Sequence, residues 1–209
     1  MLPYTDELDA AIAALCAEDP PLAALIARVG DYRLELRDMH SPFLGLLRAI
    51  VYQQLSGKAA AAIHARLQAL FPGSVPTPAG VLAMPEEKLR SVGLSRAKIL
   101  AAKDLAAKTI AGLVPAPEAL AGMDDEEIIA RLTSVRGIGR WTAEMLLIFN
   151  LGRPDVLPVS DLGIRKGFML TYGLAALPSP TEVRRHGARW APYRTVASWY
   201  LWRANEVLP

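Results

Sequence analysis

Cysteine is nearly absent from this sequence, because Cys16 is the single one among 209 residues. One thiol cannot form an intramolecular disulfide, and it cannot supply a four-cysteine zinc or iron–sulfur site. This usage is typical of a reducing compartment. The neighbours of Cys16 are alanine and leucine, so we expect this residue to belong to the core.

Long apolar runs are also absent, although 52% of the residues are hydrophobic. Charged residues interrupt every apolar stretch before it reaches the ~18 residues that a membrane helix needs. The N-terminal segment carries Asp6, Glu7 and Asp9, where a signal peptide would carry positive charge. We therefore expect a cytoplasmic protein without a membrane partner.

The formal net charge is only +2, which is too small to indicate a polyanionic partner by itself. Its distribution is uneven. Residues 1–129 contain 12 basic and 16 acidic side chains, whereas residues 130–209 contain 11 basic and 5 acidic ones. The C-terminal part is therefore the basic part of the chain.

Helix signals dominate the sequence, since alanine and leucine are abundant and apolar residues recur at spacings of three and four. The pattern predicts an all-α fold. The proline- and glycine-rich stretch Phe71–Gly80 and the region around Pro115 are predicted to be loops between helices. Alternating apolar residues predict one short extended segment, Asp31–Asp38.

The segment 132–150, LTSVRGIGRWTAEMLLIFN, predicts two helices joined by a tight turn. Gly137 and Gly139 permit the reversal of the backbone, and Ile138 between them can pack into the core. The second helix starts at the turn, so its N-terminal N–H groups suit a phosphate oxygen. Three further residues can add phosphate contacts: Arg136, Arg140 and Thr142. An ordinary helical hairpin with a glycine turn is the alternative interpretation.

About twenty residues later, the segment 152–168 places Asp161 just before another predicted helix. Either Ser160 or Asp161 could simply cap this helix, as serine and aspartate often do. Asp155 lies within the preceding loop, where a turn role is the more usual one. The three histidines, His40, His64 and His186, show no paired metal-ligand spacing, so we expect no catalytic metal.

The pattern L-x-x-V-x-G-I-G-x-x-T-A resembles the helix-hairpin-helix of DNA repair glycosylases. Together with the loop that leads to Asp161, it resembles the helix-hairpin-helix GPD superfamily. The resemblance is closest to the 3-methyladenine DNA glycosylase II branch, the AlkA type, without its N-terminal β domain. It implies two helical subdomains with a DNA-binding cleft between them. These would comprise residues 42–153, with the wedge turn and the hairpin, and residues 1–41 with 154–209.

The resemblance implies that Asp161 is the catalytic residue. Its carboxylate would stabilise the positive charge that develops on the deoxyribose as the base departs. Family members that also cut the strand have a lysine directly after the position of Arg140, where this chain has Trp141. No Schiff base with the sugar is then available, so the chain is expected to be monofunctional.

The resemblance also implies how a damaged base is reached. Gln54, with Leu55 as the second candidate, would enter the gap left by the extruded nucleotide. The base pocket is expected to be aromatic, because a flipped base is recognised by stacking. Its candidates are Tyr52, Trp141, Trp199 and Tyr200. A packed structural role is the alternative for each of them.

The implied function is hydrolytic removal of 3-methyladenine, and in addition 7-methylguanine, from double-stranded DNA by a monomer. No cofactor is expected to be required, and the family adds a monovalent cation, Na⁺ or K⁺, at the hairpin. Two alternatives stay open. One is a glycosylase for deaminated or oxidised bases such as hypoxanthine. The other is a non-catalytic DNA-binding module.

Overall fold

The computed structural model describes residues 5–37 and 41–208. The described residues are all-α and contain no β-strand, which confirms the predicted fold class. No helix in this part of the chain is long and apolar enough to cross a membrane. The described helices are α1 Thr5–Glu18, α2 Pro20–Val29, α3 Pro42–Tyr52, α4 Gly57–Gln68, α5 Pro78–Ala83, α6 Glu86–Ser91, α7 Arg96–Ile110, α8 Pro117–Leu120, α9 Asp125–Thr133, α10 Arg140–Phe149, α11 Leu162–Thr171, α12 Pro180–Gly187 and α13 Arg194–Val207, with 3₁₀ helices at Pro72–Ser74 and Ala188–Trp190.

Side-chain caps explain where many of these helices begin. Ser95 caps α7 by accepting from the backbone N–H of Lys98 at 3.3 Å. Ser179 and Glu182 form a reciprocal capping box at the start of α12. A cap of this kind contributes about 1 kcal/mol, so short helices with polar caps are stable once they pack.

The prediction of loops at Phe71–Gly80 and around Pro115 was partly wrong. Helix α5 begins at Pro78 inside the first of these stretches, and α8 begins at Pro117 just after Pro115. Proline is well tolerated in the first turn of a helix, because the N–H that it lacks would have no helical partner there. In these two places proline therefore starts a helix.

The predicted extended segment is not a β-strand over its described residues, 31–37. Arg37 instead pairs with the end of α10. Its backbone N–H donates to the carbonyl of Phe149 at 2.7 Å, and its carbonyl accepts from the side-chain amide of Asn150 at 3.3 Å. Asp38, the predicted end of the segment, lies outside the described residues, and so does His40.

The chain divides into two compact units, and α10 begins in one and ends in the other. The first unit contains the described residues up to Arg37 and those from Glu144 onward. Its core contains α11 and α13, which pack very closely. A Cβ atom at Gly167 would lie 1.8 Å from the carbonyl oxygen of Leu201, so only glycine permits this approach.

A buried carboxylate organises the same unit. Asp19, only 1% exposed, caps α2 through Oδ1, and its Oδ2 accepts hydrogen bonds from Tyr172, His186 and Trp190 at 2.7, 2.8 and 2.9 Å. Burial by itself would raise the pKa of Asp19. The hydrogen bonds outweigh that effect and hold this pKa below its usual value.

The second unit contains the described residues from Ser41 to Ala143. Its core includes the fully buried side chains of Leu46, Ile50 and Leu105. The ammonium group of Lys98 donates to the carbonyl of Val51 at 2.7 Å. It thereby satisfies a carbonyl in the last turn of α3, where helices leave carbonyls without helical partners.

Candidate functional site

The predicted hairpin joins α9 to α10 within residues 134–139. Gly137 has φ +78°, a left-handed conformation that glycine adopts without strain. Ile138 is only 4% exposed, and its N–H donates to the carbonyl of Val135 at 3.0 Å. The predicted packing of Ile138 in the core is therefore confirmed, and the glycines on either side are exposed.

Gly139 has a different reason to be glycine. Its backbone is not left-handed, and a Cβ atom built there would meet nothing within 4 Å. Its carbonyl accepts from the N–H of Ala143, which places Gly139 at the cap position of α10. A residue without a side chain leaves the helix N-terminus open to an external group.

Side chains from other helices hold the turn. Asp104 on α7 accepts from the backbone N–H of Arg136 at 2.7 Å and from Lys108 at 2.9 Å. Lys108 also donates to the carbonyl of Ser134. Partial burial works to raise the pKa of Asp104, but these donors outweigh it and lower the pKa. Sequence reasoning missed Asp104, because nothing near it in the sequence marks it as part of the hairpin.

The other predicted phosphate-binding side chains differ in exposure. Arg136 and Arg140 are exposed, whereas Thr142 is 9% exposed. The guanidinium group of Arg140 pairs with the carboxylate of Glu126 at 2.9 Å. A phosphate at Arg140 would therefore compete with Glu126, and the phosphate-binding roles stay predictions.

The turn between α3 and α4 presents the predicted wedge residues at the surface. Gln54 is exposed and has φ +56°, which is rare for a residue other than glycine. Leu55 is 39% exposed, a large fraction for leucine. The neighbouring Gln53, which sequence reasoning missed, donates from its side-chain amide to the carbonyl of Gly137 at 2.8 Å.

Tyr52 lies at the end of α3 and is partly buried. The guanidinium carbon of Arg48 lies 4.1 Å from the centroid of the Tyr52 ring, and the ring of His64 meets it edge-on at 6.0 Å. Burial, and secondarily the charge of Arg48, lowers the pKa of His64. Tyr52 is thus a partly accessible ring next to a cationic side chain.

Asp161 is the N-cap residue of α11, as the capping alternative predicted. Its Oδ1 accepts from the backbone N–H of Ile164 at 2.9 Å and from the indole Nε1–H of Trp202 at 2.9 Å. The side chain is only partly buried. Capping and catalysis are compatible, because the cap fixes the orientation of a carboxylate that is still partly accessible to solvent.

Asp155, the competing carboxylate, has an evident structural partner. It accepts from Arg194 through both oxygens, at 2.6 and 2.7 Å, and from the backbone N–H of Arg194 at 3.2 Å. This bidentate ion pair ties the loop before Asp161 to the start of α13. The turn role of Asp155 stays a prediction, because these contacts are with a residue 39 positions later.

The first unit also contains Trp199 and Tyr200, the two predicted pocket aromatics on α13. Trp199 is 9% exposed and lines a cavity of about 770 Å³, together with Phe149, Arg37 and Arg203. Tyr200 is 1% exposed and donates from its hydroxyl to the carbonyl of Gly30 at 3.0 Å. Tyr200 thus lies in the core, and its ring meets Trp199 edge-on at 5.0 Å.

The predicted site residues therefore fall into two groups. Asp161, Trp199 and Tyr200 belong to the first unit, together with Trp202. The wedge turn, the hairpin, Tyr52 and Trp141 belong to the second unit. Trp141 is 46% exposed in the first turn of α10. No group of three or more His, Cys, Asp or Glu able to hold a metal ion occurs among the described residues.

The fold and these features define a helical protein with a glycine hairpin of the helix-hairpin-helix kind and an aspartate at the start of a later helix. Comparison with known families agrees with this description. Residues 47–192 match the HhH-GPD superfamily of base excision DNA repair proteins. The chain belongs to this family.

Individual relatives extend over most of the chain. DNA-3-methyladenine glycosylase 1 of Schizosaccharomyces pombe is 43% identical over 186 residues, which are 88% of this chain and 81% of the relative. A structure of the 3-methyladenine DNA glycosylase Mag1 from the same yeast, in complex with abasic DNA, superposes with a TM-score of 0.80 at 41% identity and covers 92% of this chain and 95% of that one. The DNA-3-methyladenine glycosidase of Bacillus halodurans has a TM-score of 0.85 at 36% identity, with 93% and 88% covered. These are proteins to which the chain is similar.

Proposed function

We propose that this chain is a monofunctional DNA glycosylase that removes alkylated purines, 3-methyladenine first and 7-methylguanine second, from double-stranded DNA. The observation that carries the proposal is the Asp161 carboxylate. It is held at the start of α11 by two hydrogen bonds to one oxygen, in a chain of the base excision repair family. A fixed anion is the group needed where positive charge develops on a sugar.

The reaction is a hydrolysis in which the alkylated base is the leaving group. The bond between C1′ and the base nitrogen breaks, and its electron pair stays with the base. Alkylation has already made the base cationic, so the base departs neutral and needs no proton. The sugar becomes oxocarbenium-like, and Asp161 stabilises that charge. Water then adds to C1′ and loses a proton, for which Asp161 is the candidate acceptor.

The damaged nucleotide must first leave the helix, which costs a few kcal/mol of stacking and pairing energy. We propose that Gln54 and Leu55 fill the gap that it leaves. Their exposure at the tip of the α3–α4 turn, and the left-handed backbone at Gln54, support this role. A side chain held outward at such a turn is available for insertion between bases.

For the extruded base we propose recognition by stacking on aromatic rings. Trp199 is the first candidate, since it lines the cavity in the first unit. A cationic base is attracted by the electron-rich face of such a ring. Tyr52 and Trp141 are the candidates in the second unit. Tyr200 would contribute indirectly by packing against Trp199.

We propose that the hairpin binds a DNA phosphate through the open N-terminus of α10 and through Arg136. Arg140 and Thr142 would add contacts, and Gly137 and Ile138 would shape the turn. A monovalent cation at the hairpin would use backbone carbonyl oxygens of the turn, which are ligands that hard cations accept. The carbonyls of Ser134 and Gly137 already accept from Lys108 and Gln53, and those of Val135 and Gly139 accept from backbone N–H groups, so the carbonyls of Arg136 and Ile138 would be its first ligands.

The subdomain limits expected from the sequence, 42–153 and the remainder, belong to the same proposal. The monomeric state and the cytoplasmic location close to the chromosome are also part of this proposal. The two compact units support a separation of the proposed DNA-binding residues from the proposed catalytic residue. One unit carries the wedge turn and the hairpin, and the other carries Asp161.

The test is a product analysis on methylated duplex DNA, with released bases identified by mass. We expect 3-methyladenine to be released by the wild type and not by an Asp161→Asn variant that still binds the DNA. Asparagine is as good an N-cap as aspartate, so the fold is retained. Full excision by the variant would refute the role of Asp161. Release of hypoxanthine alone would favour the deaminated-base alternative, and binding without release of any base would favour a non-catalytic module.

A further inference from the structure

The indole Nε1–H of Trp202 donates to Oδ1 of Asp161 at 2.9 Å, across 41 residues of sequence. We infer that Trp202 is the positioning residue that holds the catalytic carboxylate in its working orientation. This inference rests on the proposed function, because it assigns a role to Trp202 only if Asp161 takes part in the reaction. Sequence spacing suggests nothing of the kind, since Trp202 lies one turn beyond Trp199 and would be taken for a core residue.

The contact is made by a side chain that is itself held in place. The ring of Trp202 stacks on the ring of Phe149, with centroids 5.6 Å apart and planes 28° from parallel. The guanidinium carbon of Arg37 lies 4.8 Å from the centroid of the same Phe149 ring. An indole packed in this way has little rotational freedom, so its N–H fixes the position of Oδ1.

Gly163 provides the space for this contact. A Cβ atom there would lie 3.0 Å from Oδ1 of Asp161 and 3.0 Å from Cδ1 of Trp202. The backbone of Gly163 is not left-handed, so its conformation does not require glycine. Its carbonyl also accepts from the side-chain amide of Asn205 at 2.9 Å. The side chains of Trp202 and Asn205 lie one turn apart on α13. Both therefore donate hydrogen bonds to the start of α11.

The chemistry of the donor suits this role. The carboxylate must keep its negative charge to stabilise an oxocarbenium-like sugar. An indole N–H orients a carboxylate without adding a positive charge next to it, unlike a guanidinium or an ammonium group. With Oδ1 held by Ile164 and Trp202 together, the plane of the carboxylate is determined, and so is the direction of its second oxygen.

The test replaces Trp202 by phenylalanine, which keeps an aromatic ring against Phe149 and removes the N–H donor together with the five-membered ring of the indole. We expect the single-turnover rate of 3-methyladenine excision at saturating enzyme to fall about tenfold, the usual scale for one lost hydrogen bond to a charged group. Affinity for abasic DNA should change less than twofold, because none of the residues proposed to bind DNA is changed. A rate loss with unchanged binding separates positioning from a general structural defect.

Trp190→Phe is the matched control. Trp190 also donates its indole N–H at 2.9 Å to an N-cap aspartate, but that aspartate is the buried Asp19. This control should lower thermal stability without the tenfold loss of excision rate. Equal rate losses in the Trp190 and Trp202 variants, once both are shown to be folded, would overturn the inference.

Two further measurements protect the test against a variant that fails to fold. Gly163→Ala keeps both partners but crowds the contact, and it should also lower the excision rate. Independently of activity, the four tryptophans give four indole N–H signals by NMR, and Asp161→Ala should shift that of Trp202 more than the other three. An unmoved Trp202 signal would contradict the hydrogen bond itself.

A double variant distinguishes the two levels of failure. In an Asp161→Asn background, Trp202→Phe should cause no further loss of excision rate, because the group that it positions is already disabled. If Asp161→Asn is fully active, the proposed function fails. If Asp161→Asn is inactive while Trp202→Phe excises at the wild-type rate, only the inference about Trp202 fails.

Discussion

The side-chain amide of Gln53 donates a 2.8 Å hydrogen bond to the carbonyl of Gly137, which lies 84 residues later in the chain. The turn that carries the predicted wedge is thereby attached to the turn of the hairpin. The two adjacent glutamines consequently differ. Gln53 points to another part of the second unit, whereas Gln54 is exposed at the tip of its turn.

This difference gives the first prediction. Gln53→Ala should lower the free energy of unfolding by about 1 kcal/mol, the usual value of one hydrogen bond. It should also weaken DNA binding several-fold, because the hairpin turn loses a support. Gln54→Ala should leave stability within about 0.5 kcal/mol, as exposed substitutions usually do, and reduce excision. Denaturant titrations and excision assays on both variants test this pair. A stability loss at Gln54 with none at Gln53 would contradict it.

The two hairpin glycines give the second prediction. Gly139→Ala should still fold, since its Cβ would meet nothing within 4 Å, and should lose no more than about 1 kcal/mol because alanine is a poorer helix cap than glycine. It should weaken DNA binding by roughly tenfold or more, because the methyl group blocks the open end of α10. Gly137→Ala should instead lower stability by about 1 kcal/mol, because φ is +78° there. Unfolding curves and DNA titrations at one fixed salt concentration check both. Unchanged DNA affinity in the folded Gly139→Ala protein would argue against phosphate binding at this helix.

The third prediction concerns acid stability. Asp19 is 1% exposed, and its pKa in the folded protein lies below its ordinary value of about 4. Such a group contributes its stabilisation fully above the unfolded-state pKa and loses it as pH falls through the lower folded-state pKa. Asp19→Asn should cost roughly 1–3 kcal/mol at neutral pH, since several donors lose a charged acceptor.

The stability difference between wild type and Asp19→Asn should therefore shrink as the pH is lowered below about 4. Thermal unfolding measured from pH 7 down to pH 3 supplies the comparison. A stability difference that stays constant over this range would show that the ionisation of Asp19 does not stabilise the folded protein.

The fourth prediction concerns Trp141, which occupies the position at which lyase members of the family have a lysine. Without an amine there, no covalent imine with the sugar is expected. After base release the DNA should stay uncut until it is treated with alkali, and borohydride should trap no protein–DNA adduct. Gel analysis of the DNA strand with and without alkali checks this. A strand cut by the protein alone would contradict monofunctional hydrolysis.

Much of the local structure was predictable. The glycines at 137 and 139, with one isoleucine between them, predicted the tight turn, and Ile138 is buried as expected. Ser95 and Ser179 are the N-cap residues of α7 and α12, and serine is among the residues that helix starts favour. Prolines were the main source of error, because the same residue that ends one helix can begin another, as Pro78 and Pro117 do.

The site was predictable only in part. The position of Asp161 followed from the resemblance of its surrounding motif, and its capping role followed from residue type. Its partner Trp202 did not, because tryptophans at helical spacing usually belong to a core. The contact of Asp104 with the hairpin could not be predicted either, since an aspartate in an alanine-rich helix has no local feature that links it to a turn 32 residues later.

The sequence by itself determined the helical character of the chain, the place of the hairpin and membership of a DNA repair family. The first two properties are encoded in short spacings along the chain, and the third followed from the resemblance of the hairpin and the Asp161 loop to a known family. The tertiary structure alone decided that Trp202 holds Asp161, that Gln53 supports Gly137, and that Asp19 binds three side chains 153 to 171 residues away. Such contacts depend on how closely and at what angle the helices pack. Gly163 and Gly167 permit the close approach, and the reason for a glycine at each position is evident only from the packed helices.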